Sequence, residues 1–133
     1  MSGMLFVKIA VGGAIGALAR YGMSGAIYAA MGARLPWGTL FVNLLGCFLL
    51  GALMEISRLS AWVSPDTRLA IGIGLLGSFT TFSTFGVETF RAIEAGSWSA
   101  AVWNVLLNVV GGLFFVILGV GLARGVIHLR SGL

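Results

Sequence analysis

The residues best suited to chemistry lie together in one apolar stretch, Gly77-Ser78-Phe79-Thr80-Thr81-Phe82-Ser83-Thr84-Phe85. Five hydroxyls and three rings fall within it, and Glu88 follows three residues beyond Phe85. In a membrane helix any single hydroxyl is accounted for by packing or by a bond back to a preceding carbonyl. A cluster at the middle of an apolar run calls for more. Gly72, Gly74 and Gly77 lower the cost of interrupting a helix there. Ser78, Thr80 and Thr81 can cap the half that restarts. Backbone interrupted at membrane depth must be buried in protein or line a polar cavity. Its freed carbonyls suit a cation and its freed N–H groups an anion. Phe82 and Phe85, three apart, share a helical face. Packing is the ordinary role of such a pair, but the positive edge of a ring also suits a small anion. Ser83 and Thr84 offer hydroxyl donors between them, and Glu88 would repel anions unless paired.

Other polar groups sit deep in apolar runs. Asn43 can donate to an anion or bridge helices, and Asn104 and Asn108, four apart, share a face from which they can bond to another helix. Arg20 carries a fixed positive charge, which is costly at that depth unless it pairs, snorkels or faces water. A carbonyl, Glu88 or an ion would each serve as its partner. One cation, several donors and ring edges, with no central carboxylate, suit an anion path rather than a proton-coupled cation pump.

The elements that must position these groups follow from composition. The chain has 133 residues, of which 59% are hydrophobic and only 9% charged, against about 25% charged in a soluble domain. Residues 35–54, 69–87 and 95–123 carry no charge, and 9–33 carry only Arg20. Each run is long enough for a spanning helix, which needs about 20 apolar residues. The sequence therefore predicts a single all-α membrane domain over 1–133, with spans near 4–31, 37–57, 68–93 and 98–126. The third is expected to be broken at its centre. Ser64-Pro65-Asp66 reads as a helix start. Glycine-rich faces, with Gly12/Gly16 and Gly121/Gly125 as small-residue pairs, suit close helix contact in lipid. So small a bundle suggests a homo-oligomer. No cleavable signal is expected, because Lys8 interrupts the start and a full span follows.

The net charge of +4 does not point to nucleic acid, because the eight basic residues are scattered. Lys8, Arg58, Arg68, Arg124 and Arg130 fall on the side of the termini, Arg34 and Arg91 on the other. Five against two leans toward cytoplasmic termini and leaves insertion in both directions open. Trp37, Trp62, Trp98 and Trp103 lie mostly at span ends, as interfacial aromatics do. Cys47 is the only cysteine and His128 the only histidine. There is no intrachain disulfide, no metal-ligand spacing and no nucleophile–base set. The chain is not expected to be an enzyme.

These residues together resemble the Fluc/CrcB family of fluoride channels over nearly the whole chain. The resemblance rests on Gly16-Ala17-Leu18-Ala19-Arg20-Tyr21, on Gly38-Thr39-Leu40-Phe41-Val42-Asn43-Leu44-Leu45-Gly46, and above all on the Gly77–Phe85 run followed by Glu88. It implies an antiparallel, dual-topology homodimer in a bacterial plasma (inner) membrane, with two pathways exporting fluoride passively. It implies that Phe82 and Phe85 line the pathway, that Asn43 donates to fluoride, and that Ser83 and Thr84 form part of its polar side. Arg20 looks like the vestibule arginine that gathers anions. A structural sodium ion at the dimer centre is implied as well, held by the carbonyls of Gly77 and Thr80. The partners implied are a second copy, fluoride and lipid. The chain departs from some members, which carry a tyrosine and then a serine along the path in the fourth span. Asn104 and Asn108 stand there in this chain as amides that can replace the hydroxyl donors, and with Glu88 they are expected to belong to the pathway.

Two rival readings are a four-span proton-coupled multidrug transporter and a non-conducting scaffold subunit. The first needs an embedded carboxylate, whereas Glu55, Glu88 and Glu94 fall at span ends. The second leaves the polar third-span centre without a purpose.

Overall fold

The computed structural model describes residues 3–32 and 35–131. Arg34, counted above among the basic residues, lies outside them. The described residues are helical apart from short connectors. They form α1 (Gly3–Met31), α2 (Trp37–Leu59), α3 (residues 65–79), α4 (Phe82–Glu94) and α5 (residues 98–131). Four stretches are long and apolar enough to cross a membrane: α1, α2, α3 with α4 as Pro65–Glu94, and α5 as Trp98–Arg130. The 23 residues of α2 give roughly 35 Å of helix, enough for a hydrocarbon core of about 30 Å.

Helix ends follow local chemistry more than hydropathy. Ser64 Oγ accepts the Thr67 N–H at 3.2 Å with Pro65 in the first turn, so α3 begins three residues before the charged boundary at Arg68. α2 runs to Leu59 and α5 to Ser131, past the apolar windows that end near 57 and 126. Arg58 and Arg130 continue the helices there, where long basic side chains can reach the headgroups. Glu55, 6% exposed, accepts from Arg58 Nε and Nη2 at 2.9 and 2.7 Å and from Arg124 Nε at 2.6 Å. Lys8 meets Asp66 at 3.5 Å, and the Arg130 guanidinium lies 5.0 Å over the Trp62 ring. At the other end Gly96, with φ +71°, supplies the left-handed residue that turns α4 into α5.

The bundle is held by close backbone approach. α1 crosses α3, and α2 lies along the second half of α5. A Cβ on Gly16 would run into the Leu75 carbonyl, and one on Gly12 would come to 2.7 Å from that of Ala70. Gly119 faces the Phe48 carbonyl in the same way. The pair Gly121/Gly125 differs, since nothing lies within 4 Å of either. Gly16→Val is therefore expected to force α1 off α3 at a cost of about 3 kcal/mol or more, because backbone cannot yield as a side chain can. Gly125→Val should leave stability near wild type. Thermal unfolding in detergent, followed by size-exclusion chromatography, checks the contrast.

The glycines of the third span do not interrupt it. Ala70–Leu76, which contains Gly72 and Gly74, is wound as a wide π-helix, and Gly77 begins one more α-turn ending at Phe79. Helical geometry lapses only at Thr80 (φ −89°, ψ 161°) and Thr81 (φ −151°, ψ 114°). A second π-helical stretch, Leu107–Gly111, lies in α5 and contains Asn108. Wide turns of this kind often occur at functional positions.

Candidate functional site

Two extended residues at mid-span leave backbone groups that must find new partners. In an α-helix the Thr81 N–H would go to the Gly77 carbonyl, and the Thr84 N–H to that of Thr80. Here the Thr81 N–H donates to Asn43 Oδ1 at 2.8 Å, and the Thr84 N–H to Thr81 Oγ1 at 3.2 Å. Gly77 and Thr80 thus each lose their helical donor, and Thr81 acts as the cap that starts α4. Among the described residues no group of His, Cys, Asp or Glu is placed to share a metal. Backbone carbonyls are the oxygens that the break offers a cation.

Asn43 completes the break from the other side. Its Nδ2 donates to the Thr81 carbonyl at 3.2 Å and to Asn108 Oδ1 at 2.9 Å. The side-chain amide thereby pairs with both backbone groups of Thr81, as a neighbouring peptide would. Both of its hydrogens are engaged, so donating to an ion means exchanging one of these bonds. Asn108 passes the polarity onward, its Nδ2 donating to Asn104 O and Oδ1 at 3.0 and 2.9 Å. Asn104 Nδ2 donates to Thr89 Oγ1 at 2.8 Å, and that hydroxyl donates to the Phe85 carbonyl at 2.8 Å.

Phe82 and Phe85 are neighbours, with ring centroids 5.4 Å apart and planes tilted 55°. Phe85 is buried, whereas Phe82 is 82% exposed. Both line a cavity of about 260 Å³, together with Asn43, Thr80, Thr81 and Asn108. A second cavity of about 390 Å³ is lined by Arg20, Tyr21, Tyr28, Thr39, Thr81 and Thr84. Thr81 is common to both. Ser83 is exposed and lies 3.5 Å from Thr81 Oγ1. A third cavity of about 450 Å³ is lined by Tyr28, Glu88, Arg91, Ser97 and Asn104 among others.

Among the described residues Glu88 is held by hydroxyls and not by a cation. Its Oε1 accepts from Tyr28 at 2.5 Å and from Thr39 Oγ1 at 2.8 Å. Its Oε2 is buried with no hydrogen-bond partner among the described residues. Arg20 does not pair with it: among the described residues the only ion pairs are Lys8–Asp66, Arg58–Glu55 and Arg124–Glu55. Arg20 instead lines the second cavity. Sequence reasoning missed Tyr28 and Thr39. Their hydroxyls were visible as polar groups in apolar spans, but only the crossing of α1, α2 and α4 brings them to one carboxylate.

The family model described as "CrcB-like protein, Camphor Resistance (CrcB)" matches residues 7–120. Similar proteins include the "Fluoride-specific ion channel FluC" of Citrifermentans bemidjiense, 50% identical over 118 residues, which are 89% of this chain and 95% of that protein. The protein of the same name from Syntrophotalea carbinolica is 50% identical over 121 residues, 91% and 98% of the two chains. That of Sorangium cellulosum is 45% identical over 119 residues, 90% and 94%.

Proposed function

The chain belongs to the CrcB family, and from that premise we propose that it is a fluoride-selective ion channel that exports fluoride passively. It is a multi-pass membrane protein and not an enzyme. The names of its relatives favour a channel over the transporter and scaffold readings.

The observation that carries the reading is the cavity where Asn43, the Thr80–Thr81 break and the rings of Phe82 and Phe85 meet. An anion entering this subunit first meets Arg20, whose charge raises its local concentration in the second cavity. Thr81 and Thr84 adjoin the next step. Asn43 can then offer an N–H in exchange for its bond to Asn108, while ring edges replace hydration without a competing charge. Fluoride enters a cell as the neutral acid and is trapped as the anion. A selective leak driven by a negative-inside potential is sufficient to remove it.

The active form is an antiparallel homodimer with two pathways, inserted in both senses in a bacterial inner membrane. Exposure supports this. Phe82, Ser83 and Thr84 are exposed beside an interrupted backbone at mid-span, and interrupted backbone is not left facing lipid. A second copy is the cover the chain itself can supply. Gly77 and Thr80, whose carbonyls have lost their helical donors, would hold the structural sodium ion, as unwound carbonyls do in other membrane proteins. Bound there, the ion supplies positive charge that neutralises those dipoles.

Two measurements test this reading. Liposomes containing the purified protein should release fluoride to an external electrode far faster than protein-free liposomes, and equal rates would remove the channel. A cysteine placed at Ser131 in a Cys47→Ser background should react with an impermeant maleimide from both faces of the membrane. Labelling from one face only would remove dual topology.

A further inference from the structure

The donors around Asn43 form a directed ladder. It starts at the Thr81 N–H and runs through Asn43, Asn108, Asn104 and Thr89 to the carbonyl of Phe85. Its two ends are therefore the break in the third span and the backbone of a ring residue in the proposed path. Asn104 is 3% exposed and lines the cavity that also holds Glu88, not the one around the rings. It touches the path only through its neighbours. We infer that Asn104 is a positioning residue for conduction, fixing through Asn108 which way the Asn43 amide faces and through Thr89 where Phe85 stands.

The physical reason lies in what a carboxamide supplies. Every member must both accept and donate, or the direction of the ladder is lost at that point. The Asn104 side chain accepts one bond from Asn108, at Oδ1, and gives one to Thr89, while its backbone carbonyl accepts a second from the same Asn108 Nδ2. Without that side-chain acceptor, the Asn108 amide keeps only its bond to the Asn104 backbone carbonyl, and Asn43 Nδ2 faces a less firmly held partner. Without its donor, Thr89 is free to leave the Phe85 carbonyl. Buried networks fail as units in this way, because each unpaired member is costly.

The inference rests on the fluoride-channel reading, and the variants separate the two. Asn104→Leu removes both functions and is expected to lower fluoride efflux roughly tenfold or more. Asn104→Asp keeps the volume. Protonated, it accepts from Asn108 and donates to Thr89, which restores the ladder; ionised, it cannot donate, and Thr89 must turn toward it. Its efflux should therefore be low at neutral pH and recover as pH falls. The titratable and charged groups facing this position are Glu88 and Arg91 of α4 and Tyr28 of α1, with Cys47 of α2 beside Asn108. The wild type measured over the same range accounts for their contribution. Wild-type efflux in Asn104→Leu would overturn the inference.

A readout independent of flux is the ¹⁹F resonance of 4-fluorophenylalanine at position 85. It should move in Asn104→Leu and stay in place in Val102→Ala, a substitution on the exposed face of the same helix. An unmoved line in Asn104→Leu overturns the ladder whatever the flux. If the line moves but the wild type releases no fluoride, the channel reading falls and the ladder stands.

Discussion

Asn43→Leu is expected to lower fluoride efflux by about 100-fold or more. Leucine fits the volume but removes three hydrogen bonds: one from the Thr81 N–H, one to its carbonyl and one to Asn108. Thr81 is 7% exposed, so water does not readily replace them. A buried polar group left unpaired costs about 1–3 kcal/mol. With three affected, the break has every reason to rearrange. The ion loses its amide donor at the same time. Asn43→Asp separates the two effects. Its carboxylate still accepts the Thr81 N–H, so the fold should persist better than in Asn43→Leu, but it cannot donate and presents negative charge to an anion. Efflux should be lost in both variants, while the wild-type elution peak on size exclusion is better preserved in the aspartate variant. Wild-type efflux in Asn43→Leu would return Asn43 to simple helix bridging.

The second large effect is expected at the rings. Phe85→Leu keeps an apolar side chain but removes the electropositive edge that faces the cavity with Asn43. A barrier higher by about 1.4–2.7 kcal/mol corresponds to a roughly 10- to 100-fold loss of rate. Efflux should fall by that much while the protein remains folded. Phe82→Leu should act similarly, although its ring is 82% exposed in one subunit and so contributes little to subunit packing. That exposure makes Phe82 the cleaner probe of conduction. Intact efflux in both variants would leave the rings with a packing role alone.

Much of this was legible in the chain because lipid imposes a coarse rule. A span must be long and apolar, and four such runs leave little else in 133 residues. The polar third-span centre and Asn43 stood out for the same reason. Legibility ended where neighbours decide. Glycines and hydroxyls pointed to a break between Gly77 and Thr81, but not to the π-helical winding of Ala70–Leu76 before it. The backbone leaves the helix at Thr80–Thr81, where Asn43 supplies partners for both Thr81 groups. Sequence spacing cannot reveal which residue of another helix will do so. Gly12/Gly16 and Gly121/Gly125 look alike in sequence, but only the first pair meets another backbone. Asn104 and Asn108 read as two amides on one face; their place in a ladder requires α2 and α4 beside α5. Glu88 read as a residue needing a partner, with Arg20 one of the groups on offer. Two hydroxyls from α1 and α2 hold it instead.

The claim that fluoride crosses this protein selectively is tested most directly by a reversal potential. In a planar bilayer with fluoride on one side and chloride as the balancing anion, current through the purified protein should reverse at the equilibrium potential of fluoride. That potential should shift by about 59 mV for each tenfold change in fluoride gradient, as for any single monovalent carrier of charge. Reversal at the chloride potential, or no current above the bare bilayer, would contradict it.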